Sequence, residues 1–237
     1  MKLKIAILGA GNLAWNLASA LEDAGHELTE VYARDIQKAK EITERVYHAV
    51  PKDELDFSES KADLFILAIK DDALGEVADQ VILPEGSILV HTSGAMPMEV
   101  LAQSSASYIG VFYPLQTFSG QNVAWGNIPI FIQGDVKTTQ QLVELAKDCG
   151  LKYQISTDEE RERLHLAAVF ANNFTNAIFQ ASHQVLKSLP IDHLIPLIEE
   201  TVRNAMAHHP KEAQTGPAIR KDQRTINEHL ALLNKQQ

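Results

Sequence analysis

Lys4-Ile5-Ala6-Ile7-Leu8 runs directly into Gly9-Ala10-Gly11-Asn12-Leu13-Ala14, and this junction decides the fold. A short apolar strand that turns through G-x-G-x-x-A into an amphipathic stretch is the dinucleotide-binding fingerprint. Gly9 permits the tight turn, Gly11 lets backbone approach a pyrophosphate, and Ala14 lets the helix pack closely on its strand. The first N–H groups of that helix have no internal partner, and the positive end of the helix dipole reinforces them. Leu13, Leu17, Ala18, Leu21 and Ala24 give the helix one apolar face, and Gly25 stands where a C-terminal cap belongs. Gly9, Gly11, Asn12, Leu13 and Ala14 are therefore candidate cofactor contacts.

Down to about residue 155 strand-like and helix-like segments alternate, which implies a parallel sheet with crossover helices. Val31-Tyr32-Ala33 ends a second strand, and Asp35 can cap a helix marked by Ile36, Ala39, Ile42 and Val46. Leu64 to Ile69 is an apolar run, as in a strand buried on both faces. Further strands are expected at Ile88–Val90, Ile109–Phe112, Ile128–Ile132 and, marginally, Tyr153–Ile155. A helix carrying Leu142, Leu145, Ala146 and Cys149 is closed by Gly150. Asp158 to about Leu189 then contains no proline or glycine, enough for a helix of roughly 45 Å. Two more helices are expected, from about Asp192 to His208 and from about Asp222 onward, separated by a loop at Thr215-Gly216-Pro217. The expected fold class is α/β, a Rossmann doubly wound, mostly parallel sheet over residues 1–155 followed by a small all-helical domain over 156–237.

Composition narrows the function. The chain has 237 residues, 45% of them hydrophobic, enough for sizeable cores. A net charge of −10 repels nucleic acid and acidic membrane surfaces. The single cysteine excludes an internal disulfide and a cysteine-built zinc site. The first apolar run is too short for a signal peptide, and no later one reaches spanning length. We expect a cytoplasmic protein.

In an open parallel sheet the ligand binds outside the carboxyl ends of the strands. The residues just past each strand are Arg34, then Lys70-Asp71-Asp72, then His91-Thr92-Ser93-Gly94, then Tyr113-Pro114-Leu115-Gln116-Thr117. Lys70, Asp71 and Ser93 join the cofactor candidates, while His91, Tyr113, Gln116 and Thr117 are candidates for substrate. Arg34 indicates which cofactor. An NAD site usually ends the second strand with a carboxylate, whereas a 2′-phosphate asks for an arginine fork. NADP(H) is the expected cofactor, although Glu30 and Asp35 flank Arg34 and an ordinary surface charge is the alternative.

The long helix is apolar or small between Leu164 and Phe179 except at His165, Asn172, Asn173, Thr175 and Asn176. At 100° per residue, His165, Asn172 and Asn176 share an arc of about 40°. Unpaired polar groups in such a setting cost roughly 1–3 kcal/mol, so something bonds them. One reading is a helix–helix seam. The other places them at a nicotinamide crevice, with His165, Asn172 and Asn173 as catalytic candidates and Asn176 toward the substrate. His208-His209 lacks a metal-ligand spacing and reads as a helix end; Glu159 to Arg163 reads as a solvated helix start.

With those residues in hand, the chain resembles Rossmann-type reductases whose second domain is like that of 6-phosphogluconate dehydrogenase. That group includes pyrroline-5-carboxylate reductase, ketopantoate reductase and deazaflavin-dependent NADP oxidoreductases. More closely, it is similar to bacterial Rossmann-like proteins with a C-terminal domain of unknown function. The stretches that carry the resemblance are Ile7–Ala14, His91–Gly94, Tyr113–Phe118, His165–Asn176, and Thr215-Gly216-Pro217 with Arg220, Asp222, Thr225 and His229. The β-hydroxyacid dehydrogenase branch carries a lysine followed by an asparagine on the corresponding helix, but this helix, from Asp158 on, has no lysine before Lys187. The resemblance thus implies fold and cofactor and leaves the substrate open. The favoured function is an NADP-dependent reductase of a small carbonyl or imine, and the alternative is a non-catalytic NADP(H) sensor. The thin helical core suggests a homodimer.

Overall fold

The computed structural model describes residues 2–119, 123–208 and 210–234; His209 and the last three residues of the third expected helix lie outside them. The chain divides into two compact units, Met1–Ala167 and Ala168–Gln237.

The first unit is built on β1 (Lys4–Leu8), β2 (Glu27–Tyr32), β3 (Val50–Lys52), β4 (Leu64–Leu67), β5 (Ile88–His91), β6 (Tyr108–Pro114), β7 (Ile130–Gly134) and β8 (Tyr153–Ile155). Their order across one sheet is β3-β2-β1-β4-β5-β6-β7-β8. Every neighbouring pair is parallel except β6 with β7. That reversal departs from a sheet of crossovers alone. Among the described residues, only a 3-10 turn at Trp125–Asn127 interrupts the connection from β6 to β7, so no helix there carries the chain back to the other end of the sheet. The sequence reading also missed β3, three residues with a central proline at the sheet edge, where a lost N–H does least harm.

Side chains alternate across the pleat, and so does the core. Ile5 and Ile7 pack with Leu17 and Leu21 of α1 (Asn12–Asp23) and with Leu142 and Leu145 of α4 (Val136–Asp148). Ala6 and Leu8 point the other way, toward Phe65, Leu67 and the Leu74 and Ala78 of α3 (Leu74–Gln80). Asp35 caps α2 (Ile36–Thr43) by accepting from the Gln37 N–H, and Asp135 caps α4 through the Thr138 N–H. Crossing helices therefore cover both faces, and the carboxyl ends of β1, β2, β4, β5 and β6 emerge along one edge.

Beyond β8, α5 (Asp158–Ala168) opens with a capping box. The Thr157 N–H donates to Glu160, and the Glu160 N–H donates back to the Thr157 hydroxyl. Helical backbone continues as expected, but not as uninterrupted α-helix: Val169–Phe174 forms a π turn before α6 (Thr175–Leu186). The second unit adds α7 (Ile195–Ala207), the short α8 (Pro210–Ala213) and α9 (Gln223–Asn234). Asp222 caps α9, accepting from the N–H and hydroxyl of Thr225. Among the described residues, no helix is long and apolar enough to cross a membrane.

Candidate active site

The glycine turn is built for close approach. Gly9 has φ +136°, and a Cβ there would collide with the Ala68 carbonyl at the end of β4, so only glycine joins the two strand ends. At Gly11 the opposite holds, since a Cβ would meet no protein atom within 4 Å. Gly11 is the N-cap of α1 with no side-chain capping bond, and no acid stands in the first turn. Open N–H donors, bare backbone and no competing carboxylate together fit a phosphate. Ala14 is fully buried against the strand, Leu13 is partly buried, and Asn12 donates to the Phe118 carbonyl at 2.8 Å.

Arg34 stands exposed just past β2, with no ion-pair partner among the described residues. The acids beside it are engaged elsewhere, Asp35 as the α2 cap and Glu30 in accepting from the Ser60 hydroxyl. Lys70 and Asp71 lie beyond β4, at the surface.

The ends of β5 and β6 are denser. Thr92 donates its hydroxyl to the Leu67 carbonyl, and the Ser93 hydroxyl accepts from the Ala95 and Met96 N–H groups. His91 is 0% exposed and accepts the Ser93 N–H on Nδ1. It thus shapes the turn and has no open face for a ligand. Burial, with the Arg161 charge nearby, lowers its imidazole to about 4, the Pro97 carbonyl and Asp158 opposing. Gln116 and Thr117 are exposed, the Thr117 N–H donating to Gln116.

Tyr113, at the end of β6, places its hydroxyl 3.1 Å from His165 Nδ1, with the two rings edge-on at 6.0 Å. Gly94 lies beneath both. A Cβ on Gly94 would come within 2.6 Å of His165 Nδ1 and of Tyr113 Cζ, so the missing side chain lets the pair close over the β5 turn. Burial and the Asp71 carboxylate push the Tyr113 phenol up to about 12, and it stays an O–H throughout the neutral range.

His165 is held there by residues the sequence reading passed over. Arg161, expected in a solvated helix start, is 1% exposed. Its guanidinium donates to Gln133 of β7, to Asp158 and, at 2.6 Å, to the Met96 carbonyl. Asp158 also accepts the Met98 N–H and the Gln133 amide. Burial alone would raise the Asp158 carboxyl, but these bonds outweigh it and hold the group below its usual range. An arginine is tolerated inside when its fork finds acceptors, which composition cannot show. Arg161, Leu164 and His165 share the i, i+3, i+4 face, and that spacing was the available signal.

Asn172 and Asn173 sit in the π turn and Asn176 in α6, all exposed, the Asn172 amide donating to Asn173 at 3.4 Å. They belong to the second unit, whereas His165, Tyr113, Gly94 and Ser93 come together in the first.

Among known proteins, the likeness covers nearly the whole chain. Residues 1–109 match the Rossmann-like domain, and residues 128–237 match a domain of unknown function, DUF2520. A crystal structure from Bacteroides fragilis, provisionally described as an NADP oxidoreductase, is 38% identical, with a TM-score of 0.87 over 98% of this chain and 91% of that one. The reductive aminase of Aspergillus terreus, solved with NADPH and ethyl-5-oxohexanoate, is 15% identical, with a TM-score of 0.68 over 87% of this chain and 74% of that one. The 1-pyrroline-5-carboxylate reductase of Streptococcus pyogenes is 18% identical, with a TM-score of 0.65 over 93% and 84%. At those two identities the likeness is one of fold. No curated protein matches the sequence.

Proposed function

Because this chain belongs to the family in which a Rossmann-like domain precedes the DUF2520 domain, we propose that it is an NADPH-dependent reductase of a small carbonyl or imine. The observation that carries the reading is the Tyr113–His165 pair over Gly94, on the same sheet edge as the glycine turn. The Bacteroides fragilis protein and the reductive aminase with its NADPH support the choice of cofactor.

Bound NADPH would supply the hydride. The N-terminal turn of α1 and the bare backbone at Gly11 would hold the pyrophosphate, and Arg34 the 2′-phosphate. The chain's own work is then to deliver a proton to the acceptor heteroatom. In the imidazolium form, His165 donates Nδ1–H to the Tyr113 oxygen and offers Nε2–H outward. Giving up the Nε2 proton leaves a neutral ring whose remaining proton stays on Nδ1, still bonded to Tyr113. The phenol, kept protonated by its burial, never competes for that proton. Tyr113 is thus a positioning residue and His165 the proton donor. Lys70, Asp71 and Ser93 are proposed as cofactor-side groups, and Gln116 and Thr117 as substrate-side groups.

The reading includes a homodimer formed through the helices after Asp158. It is supported by the second unit, where Phe170, Phe174, Ile178 and Val185 lie 42–66% exposed along one helical stretch.

The test is NADPH oxidation with small ketones and cyclic imines. His165→Gln is expected to lower kcat by about 10²–10⁴-fold with NADPH affinity unchanged. Arg34→Ala is expected to weaken NADPH binding by roughly ten- to a hundredfold and leave NADH binding as it was. Equal affinity of the wild type for the two reduced cofactors would sink the choice of cofactor. NADPH binding with no turnover of any substrate would favour the sensor reading.

A further inference from the structure

Beside α1 the first unit holds a cavity of about 510 Å³, within the range of small-molecule sites. Its walls include Trp15 and Trp125, the two tryptophans of the chain, with Arg45 and Asp148 and with Ser19 and Asp23 of α1. Three features of that wall bear on what it could hold, two exposed opposite charges and one buried donor. Arg45 lies 4.0 Å over the Trp15 ring with no ion pair among the described residues. Asp23, exposed at the last position of α1, has no ion pair among the described residues and stands at the negative end of the helix dipole. The Trp15 indole N–H is buried without a hydrogen-bond partner, which a native interior seldom tolerates.

We propose that this cavity is an effector site for a small zwitterionic amino acid with an apolar side chain. Arg45, pre-oriented by its stack on Trp15, takes the carboxylate. Asp23 takes the ammonium, which also neutralises its own clash with the helix dipole, and Asp148, already 3.7 Å from His26, adds to the negative field. The indoles of Trp15 and Trp125 wall the apolar part. A ligand carrying only one of the two charges makes only one of the two ion pairs. The site also bears on the cofactor side of the domain. Asn16, in the same wall, accepts the Val123 N–H on its side chain and the Trp125 indole N–H on its carbonyl. Its amide donates to the carbonyl of Asn12, the first residue of α1 after the glycine turn. The coupling to cofactor rests on the function proposed above; the binding does not.

Both tryptophans face the cavity, so intrinsic fluorescence reports its occupancy directly. The full-length protein is titrated with L-phenylalanine, L-leucine and, for each, the matching amine and carboxylic acid that lack one charge. The expected result is a saturable change in emission with the amino acids, at least about tenfold weaker with the single-charge analogues. Arg45→Gln and Asp23→Asn, both outside the cofactor residues, are each expected to weaken binding by about tenfold or more. At saturation the affinity for NADPH is expected to change by about twofold or more. No emission change with either amino acid up to about 10 mM, or equal binding by the analogues, overturns the site. Amino-acid binding that leaves NADPH affinity untouched overturns the effector role. Failure to bind NADPH with or without the amino acid counts against the function proposed above and leaves the tryptophan readout intact.

Discussion

The two units of this chain bury their apolar residues very differently. In the first, β1, β4 and β5 carry side chains at 0–1% exposure from Ile5 to Leu8, Leu64 to Leu67 and Ile88 to Val90. In the second, α6, α7 and α9 bury none of their described residues, while Leu197 and Met206 stand 65% and 79% exposed. A sheet covered by crossover helices satisfies itself, but short amphipathic helices without a layer on their apolar faces do not. The first unit therefore buries its own apolar residues, whereas the second leaves Leu197, Met206 and others exposed.

The sharpest way to break this comparison is inside the first unit. Arg161→Met keeps much of the volume but leaves Asp158, Gln133 and the Met96 carbonyl without their donor. Removing one member of a buried pair costs about 3–5 kcal/mol, and since Asp158 keeps 31% of its side chain exposed, roughly 3 kcal/mol is expected. Urea midpoints at fixed slope measure it. A change within the noise of the fit would show that the guanidinium is replaceable there.

His91 tests the same core through pH. Its folded value of about 4 lies below the ordinary imidazole value of 6.5, so the unfolded chain takes up the proton first. This contribution is flat above about pH 6.5 and is lost as pH falls toward 4, amounting to roughly 2 kcal/mol between pH 7.5 and pH 5. His91→Gln should remove that part of the acid sensitivity. An acid limb identical to that of the wild type would mean that His91 is not buried neutral.

The proposed dimer puts the second unit to a test of concentration. Phe174→Lys with Ile178→Lys places charges on the open stripe and is expected to halve the scattering mass to the 26.2 kDa of one chain while leaving the first unit's unfolding unchanged. The cost on association is expected at about 1 kcal/mol, the smallest effect of the three. A wild type that already scatters as a monomer at micromolar concentration removes the dimer.

Much of the frame was legible. The strand, glycine turn and α1 are dictated by residues 4–25 because every requirement there is local: an apolar run, a residue able to adopt φ +136°, and helical spacing of the apolar face. Arg34 and the Tyr113 loop became candidates from their positions just past the strand ends. Arg161 was misread because a charge run looks the same whether it is solvated or met by acceptors from β7 and the Met96 loop. The compact unit runs on to Ala167 for the same reason, since those acceptors tie α5 to the sheet.

By itself, then, the sequence determined the doubly wound sheet, its nucleotide turn and the candidate residues at the strand ends, all of which are specified by short stretches of neighbouring residues. Tertiary structure alone decided that β7 runs against β6, that Arg161 goes inside, and that Tyr113 meets His165 across a residue with no side chain. The Tyr113–His165 and Arg161–Met96 contacts join positions 52 and 65 residues apart, and a contact at that range depends on which backbone atoms are left to accept a bond, not on any pattern along the chain.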